Sequence, residues 1–424
     1  MRKILRNLVL QRLEAYVEKL LGKHQPKVIA ITGSVGKTST KQAIAQVLSY
    51  KFSVLAHEGN YNTEFGLPLS LFELEPPERT TDVIGWLRVF KTMRQTIAND
   101  DYPYDVVVLE MGADRPGDIK RFMSYIRPDI GVVTAVAKVH LEEFKSIEAI
   151  LREKWLLAET SKQVFYNHDD ERLRDHGEAQ SHMYGYGLSP ATYWMDLQQF
   201  DGEKGWGGDL FFGDEGLPLR VPVIARQAVY SLVAAAAVAH KLGVGKRDII
   251  EQLAQFQQPK GRMRVLQGKN GSIILDDSYN ASPYSGVAAL DALSQFTGRK
   301  LAILGTMNEL GEYEAAGHRL VGRHCGFLDR LMTIGQPANE HLVEAAEKAG
   351  VESDKIQTFA SPQAAGEAMV SELQSGDVVL VKGSQNGVFA EEAVKLLLAD
   401  PKDADQLVRQ SQGWLDKKRE QFRV

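Results

Sequence analysis

The run Val28-Ile29-Ala30-Ile31-Thr32 breaks at Gly33 into Gly-Ser-Val-Gly-Lys-Thr-Ser-Thr. A short β-branched segment, a glycine turn and a helical pattern over Lys41–Leu48 read as strand, loop and helix, the opening unit of a parallel α/β sheet. The backbone N–H groups of such a turn can converge on phosphate oxygens, and the helix adds the positive end of its dipole. Gly33 and Gly36 permit an approach that a Cβ would block. Lys37 supplies a point charge, and Thr38 a hydroxyl suited to Mg²⁺. Only Ser34 and Val35 separate the two glycines, whereas the standard phosphate loop has about four residues there. A glycine turn that merely precedes a lysine is the alternative. Its place behind a buried strand favours a nucleotide site spanning Gly33, Ser34, Val35, Gly36, Lys37, Thr38 and Ser39.

The alternation continues along the chain of 424 residues. Val106–Glu110, Ile130–Thr134 and Val164–Asn167 are the next strands expected. The glycine-rich stretch 201–216 reads as a loop or hairpin excursion, and Ala225–Leu242 as a helix. A second series of strands follows Pro259-Lys260-Gly261: Ser272–Asp276, Leu301–Gly305, Leu331–Gly335 and Val378–Lys382. Several end near glycine, aspartate or lysine, and α/β sheets bind ligands at the carboxyl ends of their strands. The break near residue 260 is the expected domain boundary. The tail, Asp400–Val424, is charged and helical in pattern.

The first 25 residues lack both the ~20 apolar residues that span a bilayer and the cleavage site of a signal peptide. Leu5, Val9, Leu13, Val17 and Leu20 fall on one helical face, with Arg6, Arg12, Lys19 and Lys23 mostly elsewhere. Such a helix can dock on its own domain, or residues 1–24 can touch a membrane peripherally. Glu14 and Glu18 dilute the basic face, which favours docking. A net charge of -5 gives no reason to expect nucleic-acid binding. The single cysteine, Cys325, excludes an internal disulfide and a cysteine-cluster zinc site, and points to a reducing cytoplasm.

Three further motifs carry chemistry. Glu110 ends a continuous apolar strand, where a lone carboxylate is costly unless a cation or donor meets it. Mg²⁺ beside the phosphate loop is the economical explanation, with an ion pair to Arg115 or Lys120 as the plain one. His140 follows the strand Ile130–Thr134, and Lys154 falls on the next helix. Asp276 and Asp277 end a strand, where they can accept from ribose hydroxyls, pair with a cation or cap the following helix.

TGSVGKTSTK, GNYNTEFGLPLSLFEL, LEMGADRPGDI, PDIGVVTAVAKVHLEEFKSIEAI, PKGRMRVL, DDSYNASP, LGTMNELGEY and VKGSQNG together resemble the Mur ligase family. DDSYNASP with NELGEY favours its D-alanyl-D-alanine-adding branch. The shortened phosphate loop is normal there. The resemblance implies an α/β fold: a P-loop parallel-sheet ATPase domain (26–260), then a Rossmann-like C-terminal domain (261–424), behind an N-terminal helix (1–25). It also implies ATP-dependent joining of a D-alanyl-D-alanine-like dipeptide to a muramoyl peptide through an acyl phosphate, in a cytoplasmic monomer. Lys37 would hold the β- and γ-phosphates, and Thr38 with Glu110 a first Mg²⁺. His140 and a carbamylated Lys154 would hold a second. Asn60, Asn62 and Glu64 match the substrate-facing loop. Arg262, Asp277 and Asn280 match the nucleotide contacts of the C-terminal domain, and Lys382 with Ser384 the segment near the incoming amine. A ligase for another acceptor, as in folylpolyglutamate or cyanophycin synthesis, and a non-catalytic nucleotide-binding scaffold are the rival readings. Departures from the family pattern fall at Thr63, Thr306, Gln385 and Ala225-Arg226-Gln227-Ala228. The family's N-terminal UDP-binding domain has only the space of one helix before Gly33.

Overall fold

The first series of strands is apolar on both faces, and such strands pair in parallel under helices laid on each side. In the computed structural model, which describes residues 2–57, 61–77, 79, 81–137, 141–178 and 180–422, nine strands form the first sheet. They are β1 (Lys27–Thr32), β2 (Val54–Leu55), β3 (Val106–Glu110), β4 (Ile130–Val133), β5 (Gln163–Asn167), β6 (Met183–Gly187), β7 (Tyr193–Asp201), β8 (Gly205–Phe212) and β9 (Glu215–Val221). Their order is β2-β3-β1-β4-β5-β6-β7-β8-β9, parallel from β2 through β7. The glycine-rich stretch is thus strand as well as turn. Trp194 and Phe211, stacked with centroids 4.2 Å apart, join β7 to β8.

The second sheet comprises β10 (Arg264–Gln267), β11 (Ile273–Asp277), β12 (Lys300–Gly305), β13 (Arg330–Ile334), β14 (Ile356–Phe359) and β15 (Val378–Lys382). Its order is β10-β11-β15-β12-β13-β14, with only β10 antiparallel to its neighbour. Side chains alternate across its two faces. Leu275, Ala302, Leu304, Val378 and Leu380 enter one core, and Ile274, Leu301, Ile303, Val379 and Val381 the other. Two covered faces explain why these strands read as unbroken apolar runs.

The chain divides into two compact units, one of Met1–Gln198, Gly207–Val221 and Ala228–Phe256, the other of Gln199–Trp206, Pro222–Gln227 and Gln257–Val424. Within the first unit, the helix Arg2–His24 buries Val9, Leu10, Leu13, Tyr16, Val17 and Leu20. Tyr16 meets Phe90 with ring centroids 5.8 Å apart, and Glu14 accepts from Arg121 Nε at 2.6 Å. The stripe that the sequence offered to either a membrane or the protein is therefore buried in the protein, with Leu5 packed at its margin. No helix among the described residues is long and apolar enough to cross a membrane.

Because Leu13 and Leu20 are fully buried, Leu13→Ala and Leu20→Ala should each destabilise the first unit by about 2–5 kcal/mol. Urea unfolding followed by tryptophan fluorescence would read the loss. An unchanged midpoint for both variants would mean that the helix is no part of this core.

Candidate functional site

Parallel pairing brings strand ends together. Ile31 lies opposite both Glu110 and Val132, so the chain leaves β1, β3 and β4 at one edge of the sheet. The loop after β1 is tied to the segment after β4: Ser34 N–H donates to Ala135 O at 2.8 Å, and Thr134 Oγ1 to Val35 O at 2.6 Å. A Cβ on Gly33 would sit 1.9 Å from Thr134 Oγ1, so only glycine fits there. Gly36 adopts φ 83° and caps a helix that begins at Lys37, a turn earlier than the sequence pattern suggested. The first turn of the helix Lys37–Leu48 thus carries Lys37, Thr38 and a half-buried Ser39, while Val35 is exposed. Lys37 Nζ bonds Gly33 O at 2.7 Å, folded back over the loop.

Glu110 is 6% exposed. Neither Arg115 nor Lys120 pairs with it among the contacts described. Thr38 Oγ1 donates to its Oε2 at 3.0 Å, and Asn62 Nδ2 to its Oε1 at 3.2 Å. Lys41 Nζ lies 3.8 Å away and is itself 3% exposed, donating to His57 O at 2.6 Å. Sequence reading missed Lys41, although its place one helical turn after Lys37, beside Thr38, was a usable signal. A hydroxyl and a carboxylate 3.0 Å apart at the mouth of a glycine loop are hard oxygen donors of the kind Mg²⁺ takes alongside substrate phosphates. The residues present fit that ion.

Lys154 stands on the helix Ile147–Thr160, capped by Ser146, and is 2% exposed. Burial, and secondarily the nearby cation of Lys37, lower its pKa from 10.5 to about 7, against the opposing pull of Asp114, Glu153 and Asp118. Its neighbour Glu153, also missed from sequence, accepts from the N–H groups of Gly117 at 2.8 Å and Ile119 at 2.7 Å. That cap fixes the loop 112–117 against the Lys154 helix. Glu64 pairs with Arg6 and, at 3.0 Å, with Arg121. Asn60 and His140 lie outside the described residues. No group of three or more His, Cys, Asp or Glu side chains poised for a metal occurs among the described residues.

In the second unit Asp277, Asn280, Lys382 and Ser384 come together. β11 and β15 place Asp277 opposite Lys382, and Lys382 Nζ pairs with Asp277 Oδ2 at 2.5 Å and donates to Asn280 O at 2.9 Å. The sequence had given these two residues to opposite ends of the chemistry, ribose and amine. Ser384 Oγ donates to Ala281 O at 3.2 Å and accepts from Asn308 N at 2.9 Å. Gln385 N donates to Asn280 Oδ1 at 3.4 Å. Asp276 is buried, and burial raises its pKa to about 6 despite two donors on Ser278. The Arg262 guanidinium lies over Tyr279, 4.1 Å from the ring centre. Arg409, missed from sequence, holds the same loop by donating to Ser278 O at 2.7 Å and Tyr279 O at 3.0 Å while pairing with buried Glu391.

Two family models match this chain: the Mur ligase middle domain over residues 31–239, and the Mur ligase glutamate ligase domain over residues 261–385. The UDP-N-acetylmuramoyl-tripeptide–D-alanyl-D-alanine ligase of Synechocystis is 31% identical over 381 residues, covering 88% of this chain and 75% of the relative. The enzyme of the same name from Bacillus subtilis is 28% identical over 404 residues, 92% of this chain and 79% of that one. Among solved structures, the MurF ligase of Thermotoga maritima in complex with ADP superposes with a TM-score of 0.74 at 28% identity, covering 91% of this chain and 84% of that one.

The depressed Lys154 pKa has a thermodynamic signature. Unfolded, the amine takes up its proton as pH falls through about 10.5; folded, it does so only near 7. Between these values the unfolded state binds more protons, so stability should rise with pH across that window, by a few kcal/mol in order of magnitude. Lys154→Met should remove that slope. Matching pH–stability profiles of the two proteins from pH 7 to 9.5 would contradict the shift.

Proposed function

This chain belongs to the Mur ligase family, and from that premise we propose that it is an ATP-dependent amide ligase of peptidoglycan precursor synthesis. It joins a D-alanyl-D-alanine-like dipeptide to the carboxylate of a muramoyl peptide in the cytoplasm. The relatives named for that reaction, matched over most of the chain, support the substrate class. The observation that carries the reading is the convergence, at one sheet edge, of the glycine loop, Lys37, the Thr38–Glu110 pair and the buried amine of Lys154.

The loop N–H groups and the dipole of the helix Lys37–Leu48 cradle the polyphosphate, and Lys37 swings from Gly33 O to the β- and γ-phosphates. Thr38 and Glu110 hold one Mg²⁺, with Asn62 and Lys41 fixing the carboxylate from its other sides. Bound Mg²⁺ supplies positive charge at the transferring phosphoryl group. A carboxylate oxygen of the muramoyl peptide bonds to the γ-phosphorus as the bridging bond breaks and ADP departs. The amine then bonds to the acyl carbon, phosphate leaves with the former carboxylate oxygen, and the amine gives up a proton. Asn60, Asn62 and Glu64 contact the acceptor. Arg262, Asp277 and Asn280 serve the nucleotide, and Lys382 with Ser384 the incoming amine.

Lys154 serves as a carbamate. Its neutral nitrogen bonds the carbon of CO₂ and loses a proton, which turns a buried cation into an anion that can hold a second Mg²⁺ with His140. At pH 7 an ordinary lysine is neutral in only about three molecules in ten thousand. With a pKa of about 7, Lys154 is neutral in roughly half.

Phosphate release should require both a muramoyl peptide and a dipeptide. Lys37→Ala should lower it by at least about a hundredfold, the scale of losing a principal charge stabiliser, with the melting temperature kept. Release without either partner substrate, or wild-type turnover in Lys37→Ala, would refute the assignment. Depletion of bicarbonate should slow the wild type, with activity falling as pH drops through about 7. Short-chain carboxylic acids should partly rescue Lys154→Ala. An alanine variant that is fully active without such acids would exclude the carbamate.

A further inference from the structure

We propose that the shared N-terminal ends of the helices Arg2–His24 and Val83–Ala98 form a docking surface for an anionic phospholipid membrane. The inference is independent of the ligase reading. Its basis is the way the two helices lie together inside the first unit. Lys23 Nζ donates to Ala98 O and Asn99 O at 3.1 and 2.7 Å. Arg12 lies over Phe90 at 5.3 Å from the ring centre, and Tyr16 meets the same ring at 5.8 Å. Arg6 lies over Phe65, which in turn packs on Trp86. These contacts run in step along both helices, so the helices are parallel, with the start of the second level with the second turn of the first.

The row that leads back from Arg12 by helical turns is Leu8, then Ile4. The row that leads back from Phe90 is Leu87, then Val83. Both rows lie on exposed positions of their helices. Ile4 is 67% exposed, Leu8 58%, Val83 51%, Ile84 64% and Leu87 58%. Five of the six strongly exposed aliphatic side chains described in this protein are therefore gathered at one pair of helix ends. Scattered apolar residues need no explanation, but a gathered patch does.

Charge selects the occupant. Residues 2–13 contain Arg2, Lys3, Arg6 and Arg12 and no acid, and residues 83–98 contain Arg88, Lys91 and Arg94 and no acid. Ile84, Arg88 and Lys91 share one exposed stripe of their helix. Asp82, just before it, spends its carboxylate on Gly85 N at 2.9 Å as the helix cap. Both helix dipoles present their positive ends to the same place. In a chain of net charge -5, this corner, where Glu64 is taken up by Arg6 and Asp82 by its helix cap, is complementary to anionic headgroups, with aliphatic side chains to enter the acyl boundary and basic ones to stay at the headgroups. A second copy of the chain would set like charges against each other. The patch also presents no exposed aromatic side chain, whereas protein hot spots favour Trp, Tyr and Arg. The buried stripe of the first helix takes no part, so binding needs no unfolding.

The test is co-sedimentation of the full-length protein with vesicles at low ionic strength. It should partition onto mixed phosphatidylcholine–phosphatidylglycerol vesicles and not onto phosphatidylcholine alone, and salt should release it. The double variant Leu8→Glu, Ile84→Glu should abolish partitioning. Arg88→Gln and Lys91→Gln, both exposed and outside any described ion pair, should each weaken it by about fivefold. All variants should keep the wild-type melting temperature. Failure of the wild type to sediment with anionic vesicles, equal binding by the double variant, or a dimer in solution that the double variant dissolves would each overturn the proposal.

Discussion

Glu110 ends a strand whose five residues are all buried, and a carboxylate withdrawn from water is costly until donors and cations surround it. Here the surroundings come from two places in the chain: the hydroxyl of Thr38 and the ammonium of Lys41 from one helix, and the amide of Asn62 from a loop. The helix follows β1 and the loop follows β2. The phosphate loop, the loop before Gly66 and the helix Lys37–Leu48 are thus fixed relative to one another through a single side chain. Removing Glu110 would take this carboxylate away from Lys41, itself almost fully buried. Breaking such a buried pair costs about 3–5 kcal/mol. The order of this edge therefore depends on that one carboxylate.

Two lysines of the first unit, Lys37 and Lys154, are treated oppositely. Lys37 reaches a backbone carbonyl on a loop open to solvent. Lys154 is withdrawn from water with Lys37 as a neighbouring cation, so its proton is held weakly. The reading as a carbamate makes sense of this asymmetry. Conversion to an anion would replace repulsion by attraction toward Lys37 and toward any divalent cation in the same pocket. Glu153, one residue earlier, faces the N–H groups of Gly117 and Ile119. It anchors the helix while leaving Lys154 to the site.

Much of this was legible in the sequence because it follows from local patterns. The apolar runs placed eight of the fifteen strands, those that match β1, β3, β4, β5, β11, β12, β13 and β15, to within a residue or so, and the glycine loop and Glu110 were marked by composition at strand ends. What stayed hidden depends on partners far apart in the chain. Asn62 and Glu110 are 48 residues apart. The Arg409–Glu391 pair joins an irregular segment to a short helix, with nothing periodic to announce it. The stripe on the first helix was read as five aliphatic positions, yet Leu10 and Tyr16 are buried beside them. A globular docking face is wider than the narrow seam the pattern suggested. The Gly-rich stretch was ambiguous because its strands alternate glycine with aromatic residues, and glycine weakens a strand signal.

The second unit repeats the construction of the first with different chemistry. Parallel pairing again sets an acid opposite a cation at the carboxyl ends of adjacent strands, Asp277 on β11 and Lys382 on β15. Here the partners satisfy each other directly at 2.5 Å, whereas Glu110 keeps its cation at 3.8 Å and gives its near contacts to neutral donors. A ligand group entering the second cluster must share or displace an existing ion pair, and one entering the first need only turn a hydroxyl. That difference favours the Thr38–Glu110 edge as the place where a cation is bound, and the Asp277–Lys382 edge as one that recognises polar groups by exchange of hydrogen bonds. Arg409 supports the latter from behind by holding the carbonyls of Ser278 and Tyr279. The loop on which Asp277, Asn280 and Arg262 converge is thereby held by a guanidinium whose own charge is met at Glu391, away from the ion pair a ligand would have to open.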